Sequence, residues 1–294
     1  MKKFKTEFSH FGVMLDMSRN AVMKVSEIKK LIDILKKMGY NSLQLYTEDT
    51  FEIEGEPYFG YLRGRYTGAE LKELDAYAKA QGIELIPCVQ TLAHFACLVR
   101  HSTYQSFVDV NDILLIDDER TYALIDKIFA TLAENFTSRI VNIGMDEAHR
   151  VGLGRYLDKN GYHDRFELLV HHLNKVVEIA KKYGFTPHMW SDMFFRLACK
   201  EVYDDDSPDE TKHYPKCVPD LAGNGYYVDK PLDFKKELLD KVPKDVELVY
   251  WDYYNVDEKV YDSMFASHIK FDRKIWFAGA LGVGTVSLPT TVIL

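Results

Sequence analysis

Ile140 to His149 reads IVNIGMDEAH, an apolar run of strand composition that ends in two adjacent carboxylates, Asp146 and Glu147. Neighbours along a strand point to opposite faces, so both acids can face one substrate only if the chain turns there, as it does where a strand ends. A pair so placed can divide its labour: one carboxyl in an apolar pocket keeps its proton, while the other stays ionised and stabilises positive charge. A solvated acidic pair in a loop is the plainer alternative, and the position at the end of a buried strand argues against it. The letters DEAH also occur in helicases, but those need a phosphate-cradling GxxxxGK[ST] loop, which this sequence lacks.

Six further runs rich in β-branched and aromatic residues flank this one. With it they predict seven strands, near Gly12 to Asp16, Ser42 to Tyr46, Glu84 to Val89, Ile140 to Met145, Thr186 to Trp190, Glu247 to Trp251 and Lys274 to Ala278. Between them Val25 to Met38, Gly68 to Gln81, Asp118 to Asn135, Arg165 to Tyr183 and Tyr261 to Phe271 carry apolar residues at three- and four-residue spacing, as helices packed on a sheet do. The alternation predicts an α/β fold, a TIM-type (β/α)8 barrel incomplete at its C-terminal end, forming a single domain over residues 1–294. Reacting groups in such a barrel follow the C-terminal ends of the strands. Those positions offer Asp16 and Arg19; Tyr46, Glu48 and Asp49; Gln90 and His94; Asp146, Glu147 and His149; Trp190 and Asp192; and Asp252 with Tyr254. Alternation along Tyr250 to Tyr254 groups Tyr250, Asp252 and Tyr254 on one face, here assigned to the mouth, and leaves Trp251 to the helix side.

Composition narrows the function classes. Of 294 residues 47% are hydrophobic, enough for a sizeable core, and 37 basic against 45 acidic residues give a net charge of -8 without a basic block. Nucleic acid and anionic membranes are poor partners for such a surface. The N-terminal MKKFKTEF has no apolar stretch behind it to serve as a signal core, and no later run reaches membrane length, so a soluble cytoplasmic protein is expected. Cys88, Cys97, Cys199 and Cys217 lack metal-type spacing and are expected to be reduced thiols.

On these residues the sequence resembles the β-N-acetylhexosaminidases of glycoside hydrolase family 20, from about Phe11 to Gly279, in the bacterial branch without a small preceding domain. The motif that carries the resemblance is Ile143-Gly144-Met145-Asp146-Glu147 on the fourth strand. The resemblance implies retaining, substrate-assisted hydrolysis in which the substrate's own 2-acetamido group attacks the anomeric carbon. Glu147 would then be general acid and base, and Asp146 would hold the acetamide N–H. It implies further that Arg19 grips hydroxyls of the terminal sugar, that Glu48 in LYTED takes an acidic position, and that His94 orients the site while Gln90 fills a place where the family has Asp. Trp190 would wall the acetamido methyl, with Asp192 beside it, and Asp252 and Tyr254 would bind substrate at the mouth. No metal and no cofactor is expected, and the partner is a small oligosaccharide or glycoside.

After Trp276 the family pattern breaks, and Ala280 to Leu294 reads as an aberrant, frameshifted tail. The expectation is a barrel one strand short, with unpaired edges that a homodimer would cover. Two rival functions stand beside the hydrolase: an inactive sugar-binding remnant, and a metal-dependent sugar isomerase or epimerase using Glu147, His188, Asp192 and Glu48.

Overall fold

The computed structural model describes residues 8–198, 230–232, 234, 236–253, 255–280 and 290–293. Ten strands are present among them: β1 (Gly12–Asp16), β2 (Ser42–Tyr46), β3 (Glu84–Cys88), β4 (Val108–Val110), β5 (Ile113–Leu114), β6 (Ile140–Asn142), β7 (Thr186–Trp190), β8 (Glu247–Asp252), β9 (Ile275–Ala280) and β10 (Thr290–Ile293). The helices in chain order are α1 (Val25–Met38), α2 (Gly68–Gln81), α3 (Ala96–Val99), α4 (Ser102–Gln105), α5 (Glu119–Asn135), α6 (Arg155–Asn160), α7 (Arg165–Lys182), α8 (Asp192–Ala198), α9 (Lys236–Leu239) and α10 (Glu258–Ile269).

Local chemistry explains where these elements start and stop. In α1 the buried residues Ile28, Ile32 and Leu35 recur at helical spacing, and Gly39 ends the helix in a left-handed cap, φ 88°. Thr67 and Glu70 form a reciprocal capping box at the start of α2: Thr67 N–H donates to Glu70 Oε2 at 2.8 Å and Glu70 N–H donates to Thr67 Oγ1 at 3.2 Å.

The seven expected strands all form, and they run parallel in the order β1-β2-β3-β6-β7-β8-β9. As a (β/α)8 barrel the sheet is incomplete, because no eighth parallel strand follows β9 among the described residues. β10 stands in that place and runs antiparallel to both β1 and β9. The expectation of two open edges is thereby corrected: both edges are hydrogen-bonded, and the edge-covering reason for a homodimer falls with them. Residues 281–289 of the tail lie outside the described residues.

Two faces of β8 also need correction. Tyr250 packs edge-on against Phe265 of α10 at 5.4 Å and lies 5.0 Å from the ring of His268, so its face of the strand meets the helix layer. Its hydroxyl donates to Asp252 at 2.8 Å, which puts Asp252 with it. Trp251 is in register with Ala278 and has the strand parity of Val249, the neighbour of Trp190, so it faces the barrel interior. Alternation was read correctly, but the two faces were exchanged, since both carry aromatics.

At the opposite end of the barrel, His188 Nε2 lies 3.0 Å from Glu247 Oε2, and the same oxygen accepts from Trp276 Nε1 at 2.6 Å. His10 and Glu84 pair nearby at 3.2 Å, and the rings of His10 and His188 both lie against Trp276. This floor fixes the N-terminal ends of five strands. No helix among the described residues is long and apolar enough to cross a membrane. Cys88 is buried and Cys97 half-buried, both as free thiols, while Cys199 and Cys217 lie outside the described residues.

Candidate active site

Beyond Asn142 the chain leaves β6 through a turn with Gly144 at φ 73°, Met145 at 70° and Glu147 at 52°. Gly144 is required there, because a Cβ on it would stand 2.1 Å from Gln90 Oε1. The turn brings both carboxylates of the motif to the same mouth. Glu48 and His94, at the ends of β2 and β3, are likewise left-handed, with φ of 49° and 62°.

The two acids meet different surroundings. Asp146 Oδ1 accepts from Gln90 Nε2 at 2.7 Å and Oδ2 faces His94 Nε2 at 3.1 Å. Burial pushes its carboxyl up, but the charge and hydrogen bond of His94, with the Gln90 amide, outweigh this and hold it below the usual range. Glu147 is the more open of the two, with 36% of its side chain exposed. Burial and the negative charge of Asp146 raise its carboxyl above the usual range, against the opposing charges of His94 and Arg196. Burial would lower His94, yet Asp146, Glu147 and Glu48 raise it to about 10, so it is an imidazolium at neutral pH.

Asp192 is fully buried and does not open to the mouth. Its Oδ2 accepts from the Glu147 N–H at 3.1 Å and from Arg196 Nε at 3.1 Å. Burial pushes its carboxyl up to about 7, the first and largest effect, with Arg196 working the other way. The expected substrate contact is thus replaced by a brace under the Glu147 backbone. Trp190 is 4% exposed, at the end of β7, and its Nε1 has no hydrogen-bond partner among the described residues.

On the other wall Arg19 Nη1 donates to Glu48 Oε1 at 2.7 Å, and 62% of the Arg19 side chain remains exposed. Asp252 is buried and accepts from Asn255 N–H at 3.0 Å as well as from Tyr250 at 2.8 Å. Tyr254 lies outside the described residues. The structure brings the expected Arg19, Glu48, His94, Asp146 and Glu147 to one mouth, and beside them stands Arg63, which the sequence does not single out. That guanidinium is buried, ion-paired with Asp49 at 2.8 Å, and donates to Ser18 O, Cys97 Sγ and Asn20 Oδ1, tying the first three mouth loops together. An arginine inside a polar loop of about twenty residues carries no periodicity by which it could be singled out.

The four groups offered for a metal do not converge, since His188 belongs to the barrel floor with Glu247. Among the described residues no group of three or more His, Cys, Asp or Glu is arranged to hold a metal ion.

Fold and site together define a β/α-barrel of the glycosidase class, with an acid pair at its C-terminal mouth. The family model "Glycosyl hydrolase family 20, catalytic domain" matches residues 8–206, and the chain belongs to that family. Hexosaminidase D of Homo sapiens is 26% identical over 198 residues, 64% of this chain and 40% of its own length. A beta-hexosaminidase of Akkermansia muciniphila is 25% identical over 224 residues, 63% of this chain and 45% of its own. The chain thus spans about half the length of the curated relatives it matches. The structure of the GH20 beta-N-acetylhexosaminidase from Streptomyces coelicolor A3(2) superposes with a TM-score of 0.63 at 18% identity, over 93% of this chain and 48% of that one. At that identity the likeness speaks for the fold alone.

Proposed function

We propose that this chain is an exo-acting β-N-acetylhexosaminidase that removes terminal N-acetylglucosamine or N-acetylgalactosamine with retention, by substrate-assisted hydrolysis. The observation that carries the reading is the split of the acid pair: Glu147 is raised and half-open, whereas Asp146 is lowered and held by two donors. The names of the relatives support the substrate class.

In this mechanism the acetamide N–H of the substrate donates to Asp146 while its carbonyl oxygen attacks the anomeric carbon. Glu147 gives its proton to the leaving oxygen, and the positive charge of the oxazolinium that forms is offset by the Asp146 carboxylate. Glu147, now ionised, takes a proton from the water that opens the ring, and two inversions at carbon give retention. Arg19 donates to the sugar's hydroxyls, and the Trp190 ring, with no polar partner of its own, packs against the acetamido methyl. The reading includes one catalytic domain over residues 1–294, acting in the cytoplasm; the free thiols Cys88 and Cys97 support the reducing compartment.

The deciding experiment compares p-nitrophenol release from the N-acetyl-β-glucosaminide and from the plain β-glucoside. Turnover of the acetamido sugar alone is expected. Equal turnover of both would remove the substrate-assisted step, and silence from a folded protein that still binds N-acetylglucosamine would leave a sugar-binding remnant.

A further inference from the structure

Gln90 fills the position where an acid was expected, and its surroundings give the amide a direction. It is fully buried. Its Oε1 accepts from the Met145 N–H at 3.0 Å, and because a backbone N–H can only donate, the oxygen must be the atom that faces it. Both hydrogens of Nε2 are then committed, one to Tyr46 Oη at 2.9 Å and one to Asp146 Oδ1 at 2.7 Å. Having accepted from Gln90, the Tyr46 hydroxyl points its only hydrogen at Glu48 Oε1, 3.2 Å away, where Arg19 also donates. Every donor in this chain is assigned, and at both ends a carboxyl oxygen accepts.

We propose that Gln90 and Tyr46 are positioning residues that hold Asp146 as an ionised acceptor and couple it to the Arg19–Glu48 pair, so that the shared proton of the acid pair stays on Glu147. Neutrality is the physical point. A cation at position 90 would favour the ionised form of both acids, because charge acts over several ångströms, whereas an amide N–H favours ionisation only of the oxygen it touches. His94 already supplies the cation at Oδ2, and it also reaches Glu147 at 3.6 Å. Gln90 adds the selective half. Other titratable groups that feel the Asp146 charge are Tyr46 and Cys88 from β2 and β3, with Glu48 acting on His94 beside them. On the far side stand Asp192 and Arg196 of α8, with Glu147 and His149 on its own segment. Gln90 Nε2 and His94 Nε2 stand at the two Asp146 oxygens, at 2.7 and 3.1 Å.

What the acid pair does rests on the proposed hydrolase reading, but its ionisation can be measured without turnover. The carboxyl carbons of aspartate are labelled with carbon-13 and followed by NMR across pH, with Asp146→Asn assigning the signal. In Gln90→Met, which keeps the volume and loses the donor, the Asp146 midpoint should rise by about one unit, the worth of one hydrogen bond to a charged group. Tyr46→Phe should move it the same way by less. An unchanged midpoint in a folded Gln90→Met protein overturns the proposal; if that variant does not fold, an unchanged midpoint in Tyr46→Phe overturns it. A midpoint that shifts in a protein inert towards the acetamido sugar would sink the hydrolase reading and leave this one standing.

Discussion

Asp146 and Glu147 are chemically near-identical side chains one residue apart, and they differ in how closely donors reach each: 2.7 and 3.1 Å for Asp146, 3.6 and 3.9 Å for Glu147. In the proposed mechanism that difference sets their roles. General acid catalysis is typically worth about 10²- to 10⁴-fold, so Glu147→Gln should lower kcat on the p-nitrophenyl acetamido sugar by that range and leave KM nearly unchanged. Asp146→Asn should slow the acetamido sugar in the same assay, since a neutral amide offsets no positive charge. Near-wild-type rates in both would unseat the assignment. Arg63 acts differently, through the loops it ties. Its removal leaves Asp49 as a buried, unpaired charge, and Arg63→Ala should destabilise the protein by about 3–5 kcal/mol in urea denaturation. A loss below 1 kcal/mol would mean that water replaces the guanidinium.

Among the elements, α2 offers the cleanest test of local coding. Thr67→Ala removes one half of the capping box and should cost about 1 kcal/mol by the same measurement, with the mouth unaffected. Elements of this kind were legible because the helix periodicity and the caps coincide. Strand β6 and the turn after it were legible for a related reason: an apolar run that stops at charged residues marks both a strand and its end. What could not be read is instructive. Tyr250 and Trp251 are both large and aromatic, so composition does not say which of two alternating faces meets helix α10. Asp192 was placed at the mouth by its distance from the end of β7, but it opens α8 and turns inward to Arg196, a partner one helical turn later. The β4 and β5 hairpin is too short to show alternation, and β10 closes the sheet between its chain neighbour β9 and β1, a strand from the other end of the sequence.

The barrel as a whole carries ionic groups at its mouth and at its floor, with buried neutral histidines between the sheet and its helices. Burial lowers His172 and His268 to about 4, and Glu247 is held at about 2, where the hydrogen bonds from His188 and Trp276 overcome its burial. The sign follows in each case from a folded pKa below the unfolded one. The stability these groups contribute is present above their unfolded values, near 6.5 for His and 4.3 for Glu, and is lost as pH falls through the folded values. The histidines should therefore lower Tm as pH falls from 6.5 towards 4, against the opposite slope of Asp192, whose raised carboxyl takes its proton first in the folded state, with a further loss below pH 4 that Glu247→Gln removes. A fall of Tm in that window that is the same in wild type and in folded His172→Gln and His268→Gln variants would contradict the histidine assignments.

Glu48, His94, Met145 and Glu147 all hold left-handed backbone that L side chains with a Cβ seldom adopt. Each such residue costs on the order of 1–3 kcal/mol and persists only where its surroundings over-determine it. The rim of the mouth is consequently the part of the barrel least optimised for endurance, and selection for heat tolerance alone relaxes it. Thermostabilising substitutions should be sought in the helix ring and around the floor, because on the proposed mechanism gains taken at these four positions would come out of activity.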